Sequence, residues 1–242
     1  MQPEYLIGLD LGRVRDYSAL CVAERREVQA NVFGPDSLPR ESTVGTYDIT
    51  HLERFPLGVK YTDIPDRLYD VIRGIEAVEK RRWLDDQGAV GPTPKTTLIV
   101  DRTGVGEAVS DIFRAAGLEF VTVVIHGGDA TTEVTMDEWR VPKRELAGVV
   151  QVLLQAQRLR IAENLAHTST LVAELRNFKA KISLTGHDSY GAGEDWREGN
   201  HDDLVLAVAL ACWYGESRED RTGRVGSYLG PPPERGPVGW NR

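Results

Sequence analysis

Tyr5-Leu6-Ile7-Gly8-Leu9-Asp10-Leu11-Gly12 is a short apolar run with a single carboxylate near its C-terminal end. Burying an unpaired aspartate costs several kcal/mol, so a cation is expected beside it. The pattern recurs twice. Thr97-Leu98-Ile99-Val100-Asp101 ends a second apolar run in an aspartate, and His201-Asp202-Asp203 opens an apolar helix. The three stretches are expected to meet in space and hold divalent metal.

Outward from the first run, Asp16-Tyr17-Ser18 reads as a turn into a second strand over 19–23. A third strand is expected over 44–52, where β-branched and aromatic residues recur. The segment 31–40, with Gly34, Pro35, Asp36 and Pro39, reads as a loop. Three successive strands suggest an antiparallel meander.

From Asp63 the period changes. Ile64, Leu68, Val71, Ile72, Ile75 and Val78 recur at helical spacing, and this helix should end near Trp83. A loop over 88–95, a strand over 96–100, a helix over 106–116 closed by Gly117, and a strand over 120–125 follow. Helix and strand alternating after a meander predict an α/β fold, a mixed sheet of antiparallel and parallel strands flanked by helices. Residues 126–139 read as a mobile loop. Pro142 starts a helix with Leu146, Val149, Val150, Leu153 and Leu154 inward, and 158–161 turns into another helix over about 163–178. Residues 179–193 contain Thr185-Gly186-His187-Asp188, a hairpin-turn sequence. The helix over 204–213 is apolar on nearly every side and should be buried. One domain over 1–215 and a flexible Gly/Pro-rich tail over 216–242 are expected.

With 242 residues, 41% of them hydrophobic, the chain can bury a sizeable core. No run approaches the roughly 18 apolar residues of a membrane span, and no signal peptide is recognised. Cys21 and Cys212 sit in apolar surroundings and read as reduced core residues of a cytoplasmic protein. The five histidines form no close pair, which argues against zinc. The net charge of -8 argues against a strong stand-alone nucleic-acid binder. Locally, however, residues 139–160 carry Arg140, Lys143, Arg144, Arg158 and Arg160 against Glu145 alone.

Magnesium prefers oxygen donors and is held by a few carboxylates. Two such ions about 4 Å apart activate a water and stabilise the leaving oxygen. Asp10 and Asp101 each end an expected strand, and Asp202 and Asp203 lie in a helix's first turn, where the dipole favours negative charge. Each has an ordinary structural explanation as well: Asp101 as the start of a turn, Asp202 or Asp203 as a helix cap. Their joint placement favours the metal site.

Three motifs carry a resemblance: Leu9-Asp10-Leu11-Gly12 followed by Asp16-Tyr17-Ser18-Ala19, then Ile99-Val100-Asp101-Arg102-Thr103-Gly104-Val105-Gly106, then His201-Asp202-Asp203-Leu204-Val205. In this order they resemble the nuclease domain of tailed-phage terminase large subunits. The resemblance implies a ribonuclease H-like fold and a metal-dependent endonuclease that cuts concatemeric double-stranded DNA during genome packaging. It implies two Mg2+ or Mn2+ ions on Asp10, Asp101 and one or both of Asp202 and Asp203, with His201 a further ligand or a hydrogen-bond donor to one. The partners implied are double-stranded DNA, a packaging ATPase, the small terminase and the portal, with no membrane, in the cytoplasm of a bacterial host. The family has a β-hairpin where 179–193 falls, which makes Lys179 and Lys181 DNA-contact candidates beside Arg13, Arg15, Arg102, Lys143 and Arg144. The chain departs from the family in lacking the G-x-x-x-x-G-K-[ST] loop of an ATPase motor, so it is either an excised domain or a free-standing relative. Rival readings are a Holliday-junction resolvase of the same fold, a sugar-kinase or actin-like ATPase fragment, and an inactive packaging module.

Overall fold

Strand β1 (Glu4–Asp10) is buried along its whole length, as a continuous apolar run is when it lies in a sheet covered on both faces. It pairs antiparallel with β2 (Ala19–Phe33), which pairs antiparallel with β3 (Pro39–Arg54). On its other side it pairs parallel with β4 (Lys95–Asp101), and β4 pairs parallel with β5 (Val121–His126). A short hairpin, β6 (Thr132–Thr135) and β7 (Glu138–Pro142), joins through β7 parallel to β5, and β8 (Leu159–Ile161) joins parallel to β3. The sheet order is β6-β7-β5-β4-β1-β2-β3-β8. The computed structural model describes residues 2–12, 16–33, 39–184 and 202–221. An antiparallel meander continued by parallel strands and flanked by helices is the ribonuclease H-like arrangement.

Alternation along the strands sends successive side chains to opposite faces. Tyr5, Ile7 and Leu9 pack with Leu98, Val100, helix α1 (Ile64–Gln87) and helix α2 (Glu107–Ala115). Leu6 and Ile99 belong to the opposite core, built with α3 (Lys143–Gln155), α4 (Thr168–Leu184) and α5 (Asp203–Arg221). By the same alternation Asp10 and Asp101 fall on the α5 side.

Helix α5 lies directly on β1. A Cβ built on Gly8 would sit 1.9 Å from the Ala207 carbonyl oxygen, so only glycine permits this approach. Near the far end of α5, Arg218 donates to Glu4 at 2.5 Å, at the beginning of β1. The helix therefore runs antiparallel to β1, and its N-terminus comes to the edge where Asp10 stands. Leu204 through Trp213 are all buried, because sheet and helices enclose them. Cys21 and Cys212 are buried free thiols.

Several expectations are corrected. Residues 126–139 are not one loop: Thr132–Thr135 and Glu138–Pro142 form a hairpin whose Trp139 is buried against Trp213, with ring centroids 6.0 Å apart. Residues 159–161, expected to turn into a helix over about 163–178, are a strand, and that helix begins at Thr168. The segment 179–184, expected to enter a hairpin, continues α4; its alanine, lysine and leucine residues are good helix formers. The strands β2 and β3 run well beyond 19–23 and 44–52, into the segment expected as loop. Helix α1 continues to Gln87, where Gly88 in a left-handed conformation closes it by donating to the Leu84 carbonyl. Helix α5 continues past residue 215 to Arg221. Residues 222–242 of the expected tail lie outside the described residues.

Candidate metal centre

Asp10 and Asp101 are register partners at the C-terminal ends of neighbouring parallel strands. Strands in a sheet lie about 4.8 Å apart, so two buried carboxylates stand side by side on one face. Like charges placed abreast are destabilising. One oxygen of Asp101 is already oriented: Oδ1 accepts from the Thr103 backbone N–H at 2.7 Å, and the Thr103 hydroxyl accepts from Ile125 N–H at 2.6 Å.

The chain leaving β1 is held tightly. Gly12 N–H donates to the Ser18 hydroxyl at 3.0 Å, and the Tyr61 hydroxyl donates to the Gly12 carbonyl at 2.6 Å. A Cβ on Gly12 would lie 2.3 Å from the Tyr17 carbonyl oxygen, so this turn also requires glycine.

The third element is the first turn of α5. The Asp202 carbonyl accepts from Leu206 N–H at 2.9 Å, which makes Asp202 the residue that begins the helix. Asp202 and Asp203 are both buried, and they face different partners. Asp202 Oδ2 accepts from Lys143 Nζ at 2.8 Å, and that ammonium also lies 5.3 Å from the Phe178 ring centroid. Asp203 Oδ2 lies 3.3 Å from a guanidinium nitrogen of Arg54. Lys143 follows β7 and Arg54 ends β3, on opposite flanks of the β1–β4 pair in the sheet order. The divergence follows from the helix: consecutive residues point about 100° apart.

Glu174 of α4 completes this end, and sequence reasoning missed it. Its Oε2 accepts from the Leu204 and Val205 backbone N–H groups at 3.0 and 3.1 Å, and Oε1 accepts from Arg54. A carboxylate from another helix thus caps the positive end of α5. Burial pushes the Glu174 carboxyl up to about 7, and neighbouring Asp203 adds to the shift, while Arg54 and the two N–H groups oppose it. Arg54 also stacks 4.8 Å over the Tyr17 ring, tying the β1–β2 connection to the same network. A lone glutamate in an amphipathic helix and a lone arginine ending a strand gave no signal of either role.

Among the described residues, no group of three or more His, Cys, Asp or Glu side chains is arranged to hold a metal ion. Asp202 and Asp203 are turned to cations of the protein itself. The donor chemistry nevertheless suits a hard divalent ion, since the carboxylates gathered at this edge are oxygen donors. Asp10 and Asp101 are paired in register at the strand ends, and Asp202 is held by Lys143.

The basic candidates are dispersed. Arg102 is half-enclosed in ion pairs with Glu107 and Glu138. Arg144 pairs with Asp129 at 2.5 Å, beside Lys143 at the start of α3. Lys179 and Lys181 lie on the last turns of α4, and their side chains are outside the described residues. Arg13, Arg15, His201 and the rest of the expected hairpin, 185–193, also lie outside them. No helix among the described residues is long and apolar enough to cross a membrane.

No protein-family model matches the chain, and no curated protein matches it in sequence. Among solved structures, the chain is similar to the large terminase nuclease from thermophilic phage G20c. The TM-score is 0.46 at 20% identity, over 86% of this chain and 81% of that one. It is also similar to the human cytomegalovirus terminase nuclease domain in a Mn-soaked structure, with TM-score 0.44 and 10% identity, over 91% of this chain and 87% of that one. A further structure of the cytomegalovirus domain gives TM-score 0.38 at 12% identity, over 87% and 83%.

Proposed function

We propose that the chain is a metal-dependent endonuclease that hydrolyses double-stranded DNA, acting as terminase nucleases do on concatemeric phage DNA during packaging. The observation that carries this reading is the pairing of Asp10 with Asp101 at one edge of the sheet, where the α5 N-terminus also arrives. Two magnesium or manganese ions, when bound, would supply an activated water and stabilise the leaving oxygen. Asp10 and Asp101 would hold them, with Asp202 as the third ligand and Asp203 kept by Arg54. The helix N-terminus adds favourable potential for anionic groups. Lys143 and Arg144, at the start of α3, are the described cations best placed for phosphate, and Arg13, Arg15, Arg102, Lys179 and Lys181 remain candidates. The motif resemblance supplies the substrate, and with it a packaging ATPase, small terminase and portal as partners.

An acidic body with few phosphate contacts should bind DNA weakly and with steep salt dependence. The test is supercoiled-plasmid nicking in Mn2+ or Mg2+. Wild type should nick and linearise; Asp10→Ala and Asp101→Ala should not. Equal cutting by wild type and both variants would remove the proposed site.

A further inference from the structure

The structure gives the third carboxylate to an ammonium group rather than leaving it open. Lys143 Nζ donates to Asp202 Oδ2 at 2.8 Å, from a side chain 23% exposed to one 12% exposed. A close charge pair this sheltered is screened much less than a surface pair. Its geometry is built: the first residue of α3 is aimed at the first turn of α5, with the Phe178 ring beneath the ammonium. Arg54 forms an ion pair with neighbouring Asp203 from the other flank, at 3.3 Å and without a hydrogen bond to Asp203 Oδ2.

We infer that Lys143 holds Asp202 in the metal-free protein, and that metal binding at Asp202 competes with this contact and displaces it. This rests on the proposed nuclease reading and assigns a positioning role to a residue of the same site. A dication on Asp202 repels the ammonium held 2.8 Å from the same carboxylate, so binding of the ion and release of the ammonium are coupled. The released ammonium, on a flexible four-carbon stem, is then available to a phosphate at the same edge. The centre therefore assembles fully only with metal, and the lysine changes partner from carboxylate to substrate.

The experiment measures Mn2+ affinity by electron paramagnetic resonance, with no DNA present, in wild type, Lys143→Met, Lys143→Arg and Arg144→Met. Lys143→Met should bind Mn2+ roughly tenfold more tightly, the scale of a lost competing charge pair. Lys143→Arg should stay near wild type, because it keeps a cation on Asp202. Arg144→Met removes a neighbouring charge that pairs elsewhere and should change affinity by less than about twofold, as a screened surface charge does. Thermal unfolding gives an independent readout. Lys143→Met should melt lower than wild type without metal, and saturating Mn2+ should close the gap.

Unchanged or weaker Mn2+ affinity in Lys143→Met overturns the displacement while leaving the metal centre standing. An equal gain in Arg144→Met overturns it as well, by showing a general charge effect. Absence of Mn2+ binding in all four proteins would overturn both the displacement and the nuclease reading.

Discussion

Gly8 of β1 lies against the Ala207 carbonyl of α5 so closely that a Cβ would come within 1.9 Å of that oxygen. This contact, two residues before Asp10 and one turn after Asp203, sets how far the helix N-terminus stands from the strand ends. Gly8→Ala must push α5 away from the sheet. Overpacking of this kind costs about 1–3 kcal/mol, measurable by urea denaturation, and nicking activity should fall with it. Full stability in Gly8→Ala would mean that the helix does not rest on β1 as described.

Replacing Asp101 by Asn should separate stability from activity. The exchange relieves repulsion between neighbouring carboxylates, so the metal-free protein should melt no lower than wild type. Cleavage should drop by at least about a hundredfold, since even residues that only support metal ligands cost 10–100-fold when changed. Substantial unfolding of Asp101→Asn, which keeps an oxygen able to accept from Thr103 N–H, would instead show that the Asp101 charge itself supports the fold.

Arg54 is expected to be among the most sensitive side chains for folding. Arg54→Met withdraws the guanidinium shared by Glu174 and Asp203, both buried. Removing one member of a buried ion-pair network costs about 3–5 kcal/mol. Chemical denaturation checks the value, and Arg54→Lys should recover only part of it, lacking the planar fork. A loss below about 1 kcal/mol, the range of exposed pairs, would contradict the network.

At the other end of α5, burial pushes the Glu4 carboxyl up, but ion pairs with Arg218 and Lys95 outweigh it and hold the group below its ordinary 4.5. A carboxyl depressed in the folded state contributes stability above its unfolded value, and this is lost as pH falls through the folded one. Glu4→Gln should therefore lower melting temperature at neutral pH and narrow its gap to wild type below about pH 4. A gap that stays constant across that range would exclude this ion pair as its source.

Much of the frame was legible in the sequence. The runs ending in Asp10 and Asp101 are buried parallel neighbours, and such strands show as unbroken apolar segments. Helix α5 was legible for the same reason, being apolar all round. The hairpin Thr132–Pro142 was not, because β6 is exposed at every residue and presents no apolar alternation. β8 has three residues, too few for any period. At the site, residue types were legible and pairings were not. Lys143 reads as one cation in a basic run, and only the fold brings it to Asp202, 59 positions away. Arg54 and Glu174 are 120 positions apart, and neither carries a local motif.

A metal centre shared by Asp10 and Asp101 underlies the proposed chemistry. A Mn2+-soaked crystal, with anomalous scattering recorded at the manganese edge, tests it most directly. A peak is expected between the two side chains, about 2 Å from a carboxylate oxygen of each, with Asp202 turned from Lys143 toward the ion. Ordered Asp10 and Asp101 with no anomalous peak beside them, at saturating Mn2+, would contradict it.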